Sequence, residues 1–337
     1  MPIFFVDIST LVALVIARAK TDQTQPDAQN PRVGWRTDQL LTGDIDTLMC
    51  YQLNDPGAYA EIGRQVLAQV HDLPEIAALS RLAIFRGRRL LPVSDPRKRD
   101  LLEMVGELET FIGTLPAGTR KDRCSGLFHY HRGVFFNDYG CFAEAAKAQH
   151  QAADVAKKAG DIPEAAISSF VAVVYELKDA LCLGAAERIK TGFAELQRQY
   201  PLLITAVNGT AFEVSLGQGN APLHLMEASV WLDQDSEEMD TWANTFNSAA
   251  EKLGSGWKDH LDFIHAVQLH RSGDMRAENA LAVVATTSSA ELRATALLIL
   301  ARRAKKEGDE TGARGMVENM SEIGVQHLRA VAARLLA

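Results

Sequence analysis

Glycine followed by aspartate closes an apolar-periodic segment three times in this chain, at Gly160-Asp161, Gly273-Asp274 and Gly308-Asp309. No other feature constrains the fold as much. The glycine can adopt the left-handed conformation that ends a helix, and the carboxylate behind it can cap the next one. Gly140 and Gly254 stand at comparable stops. Between stops the apolar residues recur with helical spacing over segments of roughly 12 to 20 residues. Each joint therefore reads as a helix-turn-helix, and the chain as a succession of helical hairpins. A hydrophobic fraction of 47% with only 7% aromatics suits closely packed helices better than sheets.

Prolines mark further helix starts. Pro56-Gly57 opens a helix carrying Ile62, Val66 and Val70; Pro74 opens one with Ile76, Leu79 and Leu82 that ends by Pro92. Asp95-Pro96 precedes Leu101, Leu102, Val105, Leu108 and Ile112, the pattern of one buried face. Asp235 with Glu238 has the form of a capping box. From Leu202 to Trp231, Asn208-Gly209, Gly217 and Gly219 among β-branched residues admit a strand hairpin, but two isolated strands would lack a sheet, so two shorter helices are expected. The apolar N-terminal run is interrupted by Asp7 and falls short of the ~20 residues a spanning helix needs, so no membrane span is expected. The expected divisions are an N-terminal helix and polar loop over 1–35, helical hairpins over 36–120, and a repeat array over 121–337.

The residues around the joints carry a resemblance. Gly133, Phe136, Gly140, Ala145 and Ala152 stand at fixed offsets, as do Ala301, Gly308, Asp309 and Ala313, and Ala153, Gly160, Asp161, Ala165 and Ala172. Gly308 follows Gly273 by 35 positions, close to the ~34 of one tetratricopeptide unit. In these segments the chain resembles the tetratricopeptide repeat family. The sets beginning at Gly133 and Ala153 overlap, so the Ala-rich helix Ala143 to Ala159 must serve two registers. The resemblance implies an all-α fold, a right-handed α-solenoid of stacked hairpins with a concave groove that binds a protein or peptide partner. It also implies that Tyr130, Val134, Asn137 and Asp138 face that groove, where Asn137 either holds a peptide backbone or caps the structure.

The chemistry-bearing patterns are weak. Gly113 to Lys121 misses the phosphate-loop spacing, because Lys must directly follow the second glycine. His129 and His131, and His260, His265 and His270, are two or five apart and do not share a helix face as metal pairs do. Cys124 lies near His129 without a nucleophile signature. We expect no catalytic residue, metal or cofactor. Scattered cysteines without a C-x-x-C pair fit a reducing cytoplasm.

A net charge of −8 excludes a wholly basic, nucleic-acid-coating surface. Arg81, Arg86, Arg88, Arg89, Arg97, Lys98 and Arg99 nevertheless crowd together. They read either as a docking patch for acidic groups or as a solvated helix end offsetting the dipole. Asp233, Asp235, Glu237, Glu238 and Asp240 likewise read as a contact for a basic neighbour or as a charged helix start. The expected function is a non-enzymatic interaction scaffold or adaptor. The alternative is a regulatory subunit of a nucleic-acid-associated complex using the local basic patch. Oligomeric state is open.

Overall fold

The computed structural model describes residues 56–336, apart from 70–72, 92–94, 211, 235 and 254–256. The helix and loop expected over 1–35, Val70, Gly254 and Asp235 lie outside the described residues. Those described form fourteen α-helices, one short 3₁₀ turn and one π-helical segment, with no strand among them. Nor is any described helix long and apolar enough to cross a membrane. The chain divides into two compact units, 1–135 with 154–160, and 136–153 with 161–337.

In the first unit, α1 (Pro56–Gln69) packs on α2 (Pro74–Arg89), and α2 on α3 (Leu101–Gly113). The α1–α2 crossing is tight because Gly63 has no side chain; a Cβ there would lie 2.6 Å from the Ser80 carbonyl oxygen. That close approach buries Ile62 and Val66 against Leu79, Leu82 and Phe85. In α3 the expected face forms from Leu101, Val105, Leu108 and Ile112, each contributing about 2 kcal/mol by leaving water. Leu102 departs from expectation and is 67% exposed, because it falls beside that stripe rather than on it. A 3₁₀ turn, Pro96–Lys98, occupies the start that Asp95-Pro96 predicts, and the α-helix proper begins five residues after Pro96. The near-miss phosphate loop has a structural use: Lys121 Nζ donates to the Gly113 and Leu115 carbonyls, 2.8 and 3.0 Å away, and so caps the end of α3.

Helix α4 (Thr119–Asp138) turns at Gly140 into α5 (Phe142–Lys158), and both cross the division between units. Of the Ala-rich α5, Ala145, Ala146, Ala148, Ala152, Ala153 and Ala156 are buried, a wide face for one helix. It contributes residues to each unit, as its double register suggests.

The second unit continues with α6 (Ile162–Leu183), α7 (Ala186–Val207), the π-helical segment Glu213–Asn220, α8 (Ala221–Trp231), α9 (Glu238–Leu253), α10 (Lys258–Arg271), α11 (Ala277–Thr287), α12 (Ala290–Glu307), α13 (Glu310–Ile323) and α14 (Gln326–Leu336). Consecutive helices pack on one another. Two of the three joints are built as the glycines and aspartates predict; at the third, Asp274 bonds the backbone and side chain of Arg276 and does not cap α11. Gly160, Gly273 and Gly308 have φ of 73°, 70° and 85°. Asp161 accepts from Glu164 N and Asp309 from Gly312 N. Ala301 and Ala313 are fully buried where α12 meets α13.

The stretch 202–231 is helical, as expected, by an unexpected route. Helix α7 runs through Pro201 to Val207, and the π-helical segment leads directly into α8. Gly217 is required by proximity rather than by a hairpin, since a Cβ would meet Val207 at 2.9 Å. At the start of α9 the described cap is Ser236, whose Oγ accepts from Glu238 N at 3.1 Å. Several contacts go beyond sequential packing: α8, α10 and α14 each touch α12, and α14 packs on α6, from which it is farthest in sequence. Arg334 Nη2 donates to the Leu181 carbonyl at 2.9 Å, and Gln326 lies against Gly140. The unit thus closes on itself.

Candidate functional site

A groove of about 930 Å³ opens in the second unit where the C-terminal ends of α8, α10 and α12 converge with the end of α14. Helix C-termini leave carbonyls without intrahelical partners and carry partial negative charge, so cations belong there. Arg302 supplies one. Its guanidinium donates to the Val230 carbonyl and, at 2.8 Å, to that of Trp231, fixing the end of α8. Burial lowers its pKa, with Asp233 opposing the shift. Asp233, 3.7 Å from Arg302, takes a left-handed φ of 55°, which aspartate tolerates.

Arg271 bonds the Asp240 carboxylate and the Ser236 carbonyl, tying α10 to the start of α9. Lys305 reaches the Leu335 carbonyl of α14. At the lip, the Arg276 side chain and backbone hold Asp274, pulling its carboxyl down to about 2. Val230, Met239, Val267 and Ile299 give the groove an apolar floor. Met275 stands 93% exposed beside it, and Lys306 extends from the wall into solvent. An apolar floor with a fixed cationic rim can seat an extended or helical segment, with side chains against the floor and polar groups on the rim.

Elsewhere in the unit lies a buried ionic cluster. The Lys178 ammonium on α6 is 2.7 Å from Glu291 Oε1 on α12, and His327 Nε2 on α14 is 3.2 Å from the same oxygen. That oxygen is inaccessible to water, although about a third of the Glu291 side chain, 31%, remains exposed. Phe142 and Trp231 present their rings to the His327 imidazole at 5.4 and 4.7 Å, and both also lie within 6 Å of the ammonium. Trp231 Nε1 donates to Thr295 Oγ1 at 3.1 Å. Burial alone would raise the Glu291 carboxyl, but Lys178 and His327 outweigh it and leave it well below the usual range. Burial likewise lowers the His327 pKa, with Glu291 opposing.

The residues expected to face a groove are divided between units. Tyr130 and Val134 lie half-buried in the first, with Tyr130 edge-on to His131. Asp138 is exposed in the second, and Asn137 Oδ1 accepts from Lys178 Nζ at 3.4 Å, a structural engagement.

Of the seven basic residues, Arg81, Arg86, Arg88, Arg89 and Lys98 are half-buried among the described side chains. Arg81 lies over the Phe111 ring at 3.9 Å, and Arg88 reaches Met104 Sδ. Burial pulls Arg86 down to about 10. Lys98 donates to the Leu91 carbonyl, and Arg99 is exposed. The Arg97 side chain lies outside the described residues. Burial, then Arg86, Arg89 and Arg123, hold the His131 imidazole far below its ordinary range. Cys124 is buried with its thiol toward the Glu75 carbonyl.

Sequence reasoning missed both the groove and the ionic cluster. The groove's signals were the basic run Arg302-Arg303 and Lys305-Lys306 at a helix end and a methionine in the Gly273 turn. The cluster's signals were a lysine and a histidine on otherwise apolar helix faces. No family model matches the chain, and no curated protein or solved structure does so either.

Proposed function

We propose that this chain is a non-enzymatic interaction scaffold: a right-handed, tetratricopeptide-like array of helical hairpins whose second unit captures a segment of a protein partner. The observation that carries the reading is the groove of about 930 Å³, with its apolar floor, cationic rim and exposed Met275 at the mouth. Met275, 93% exposed, extends the apolar floor outward, so that a segment seated in the groove would cover both. Covering Met275 on binding would contribute about 1.5–3 kcal/mol. Stacked hairpins supply such concave surfaces, and in this unit the stack curves until its last helix meets α6. Among the described residues, the unbridged thiols of Cys141 and Cys182 support a reducing compartment such as the cytoplasm.

The test is selection of short random peptides displayed on phage against the full chain, followed by anisotropy titration of the enriched peptides. Met275→Glu is expected to weaken them roughly tenfold or more, with helical content unchanged because the residue touches little. Tyr130→Ala, in the other unit, is expected to leave them unaffected. Peptides indifferent to Met275→Glu would remove the basis for the groove.

A further inference from the structure

The ionic cluster joins α6, α12 and α14, and beside it α14 is held by the Arg334 bond to Leu181 and the Lys305 bond to Leu335. Helix α14 has 11 residues, and its buried set is only His327, Leu328, Val331 and Ala332. An isolated helix of that length is marginal in water, so docking must hold it. His327, 1% exposed, is the one ring in the set and lies against the Phe142 and Trp231 rings. Its partner oxygen, Glu291 Oε1, is already engaged by the Lys178 ammonium at the shorter distance.

We propose that the contact among Lys178, Glu291 and His327 is an acid-released latch that holds α14 against α6 and α12 and so closes the second unit. Neutral imidazole fits the site: it meets the carboxylate on one side and aromatic rings on the others. Protonated, it would bring a second cation to an oxygen that already serves one, away from solvent. The charged groups acting on it are Lys178 from α6, Glu291 from α12 and Glu227 from α8, α5 adds the Phe142 ring, and α13, which also packs on α14, contributes none of them. Glu227 is 3.1 Å from His224 on its own helix and is no substitute for Glu291.

Once α14 leaves, His327 regains water and its ordinary affinity for a proton. Detachment is therefore coupled to proton uptake. The docked form is favoured above the free histidine value of 6.5 and loses ground as pH falls below it. A single proton makes opening rise by at most about tenfold per pH unit.

The experiment is amide hydrogen exchange on the full chain between about pH 7.5 and 5, corrected for intrinsic rates and read helix by helix. We expect protection of α14 to fall with a slope no steeper than one proton, and His327→Gln to abolish that fall. Should His327→Gln fail to fold, titration of the His327 ring resonance in the unaltered chain decides. The proposal requires a midpoint below 6.5 and a parallel loss of α14 protection. In Lys178→Met, which leaves the carboxylate to the imidazole, the midpoint should move upward. Unchanged α14 protection down to about pH 5, an equal fall in His327→Gln, or a midpoint at or above the free value would each overturn it.

Discussion

Replacing Lys178 by methionine measures how much of the second unit's stability runs through one buried charge. The lysine is 3% exposed, so methionine, similar in length and apolar, fills its space without a cavity. What changes is the carboxylate left behind. Glu291 Oε1 is shut off from water and would keep only the imidazole at 3.2 Å. Removing one partner of a fully buried pair costs about 3–5 kcal/mol. Since 31% of the Glu291 side chain remains exposed, relaxation toward water reduces this to about 2–4 kcal/mol. In a unit of this size that is a fall in melting temperature of roughly 5–15 °C.

The assay is thermal and urea unfolding followed by near-ultraviolet circular dichroism, with the Trp231 environment as reporter. Lys178→Met/Glu291→Leu removes both charges and is expected to recover most of the loss, giving a coupling of about 2 kcal/mol between the sites. A single-variant loss below about 1 kcal/mol, or a double variant equal to the sum of the two singles, would refute the reasoning.

Two further outcomes follow from local geometry. Asp309→Ala should cost about 1 kcal/mol by freeing Gly312 N. Gly308→Ala should cost about 1–2 kcal/mol through its φ of 85° alone, because nothing lies within 4 Å of the added methyl; urea midpoints report both. Burial lowers the pKa values of the buried His131 and His327 and of the half-buried His129 and His260. The unfolded chain therefore binds more protons than the folded one below 6.5, so stability present above that value should be lost as pH falls. A urea midpoint that does not decline between about pH 7 and 5 would contradict this.

The hairpin joints were legible because their chemistry is local. A left-handed glycine and a capping carboxylate adjoin in sequence, so Gly160-Asp161 and Gly308-Asp309 announce themselves. Gly184 and Gly324, with φ of 66° and 83°, form equivalent stops that went unread because Ala185 and Val325 follow them in place of a capping residue. The helicity of 202–231 followed from the lack of any sheet to join, whereas Pro201 inside α7 has no local signature.

The functional features were mostly illegible. Lys178, Glu291 and His327 meet only after α6, α12 and α14 pack. The one local hint is that Lys178 lies a helical turn from both Val174 and Leu181, and His327 a turn from Val331, so each occupies a face that otherwise buries carbon. The groove is likewise a product of four helix ends meeting. The basic run over 81–99 misled for the opposite reason: adjacency in sequence suggested one surface, while α2 turns its arginines toward α3 and α4.

The Arg334–Leu181 bond alters how this molecule would withstand damage. A linear stack erodes from its tip, and each lost repeat leaves the remainder nearly intact. Here α14 covers α6, near the beginning of the unit, so loss of α14 would uncover a hairpin made long before it. Loss at α14 would then be felt at both ends of the unit rather than at one.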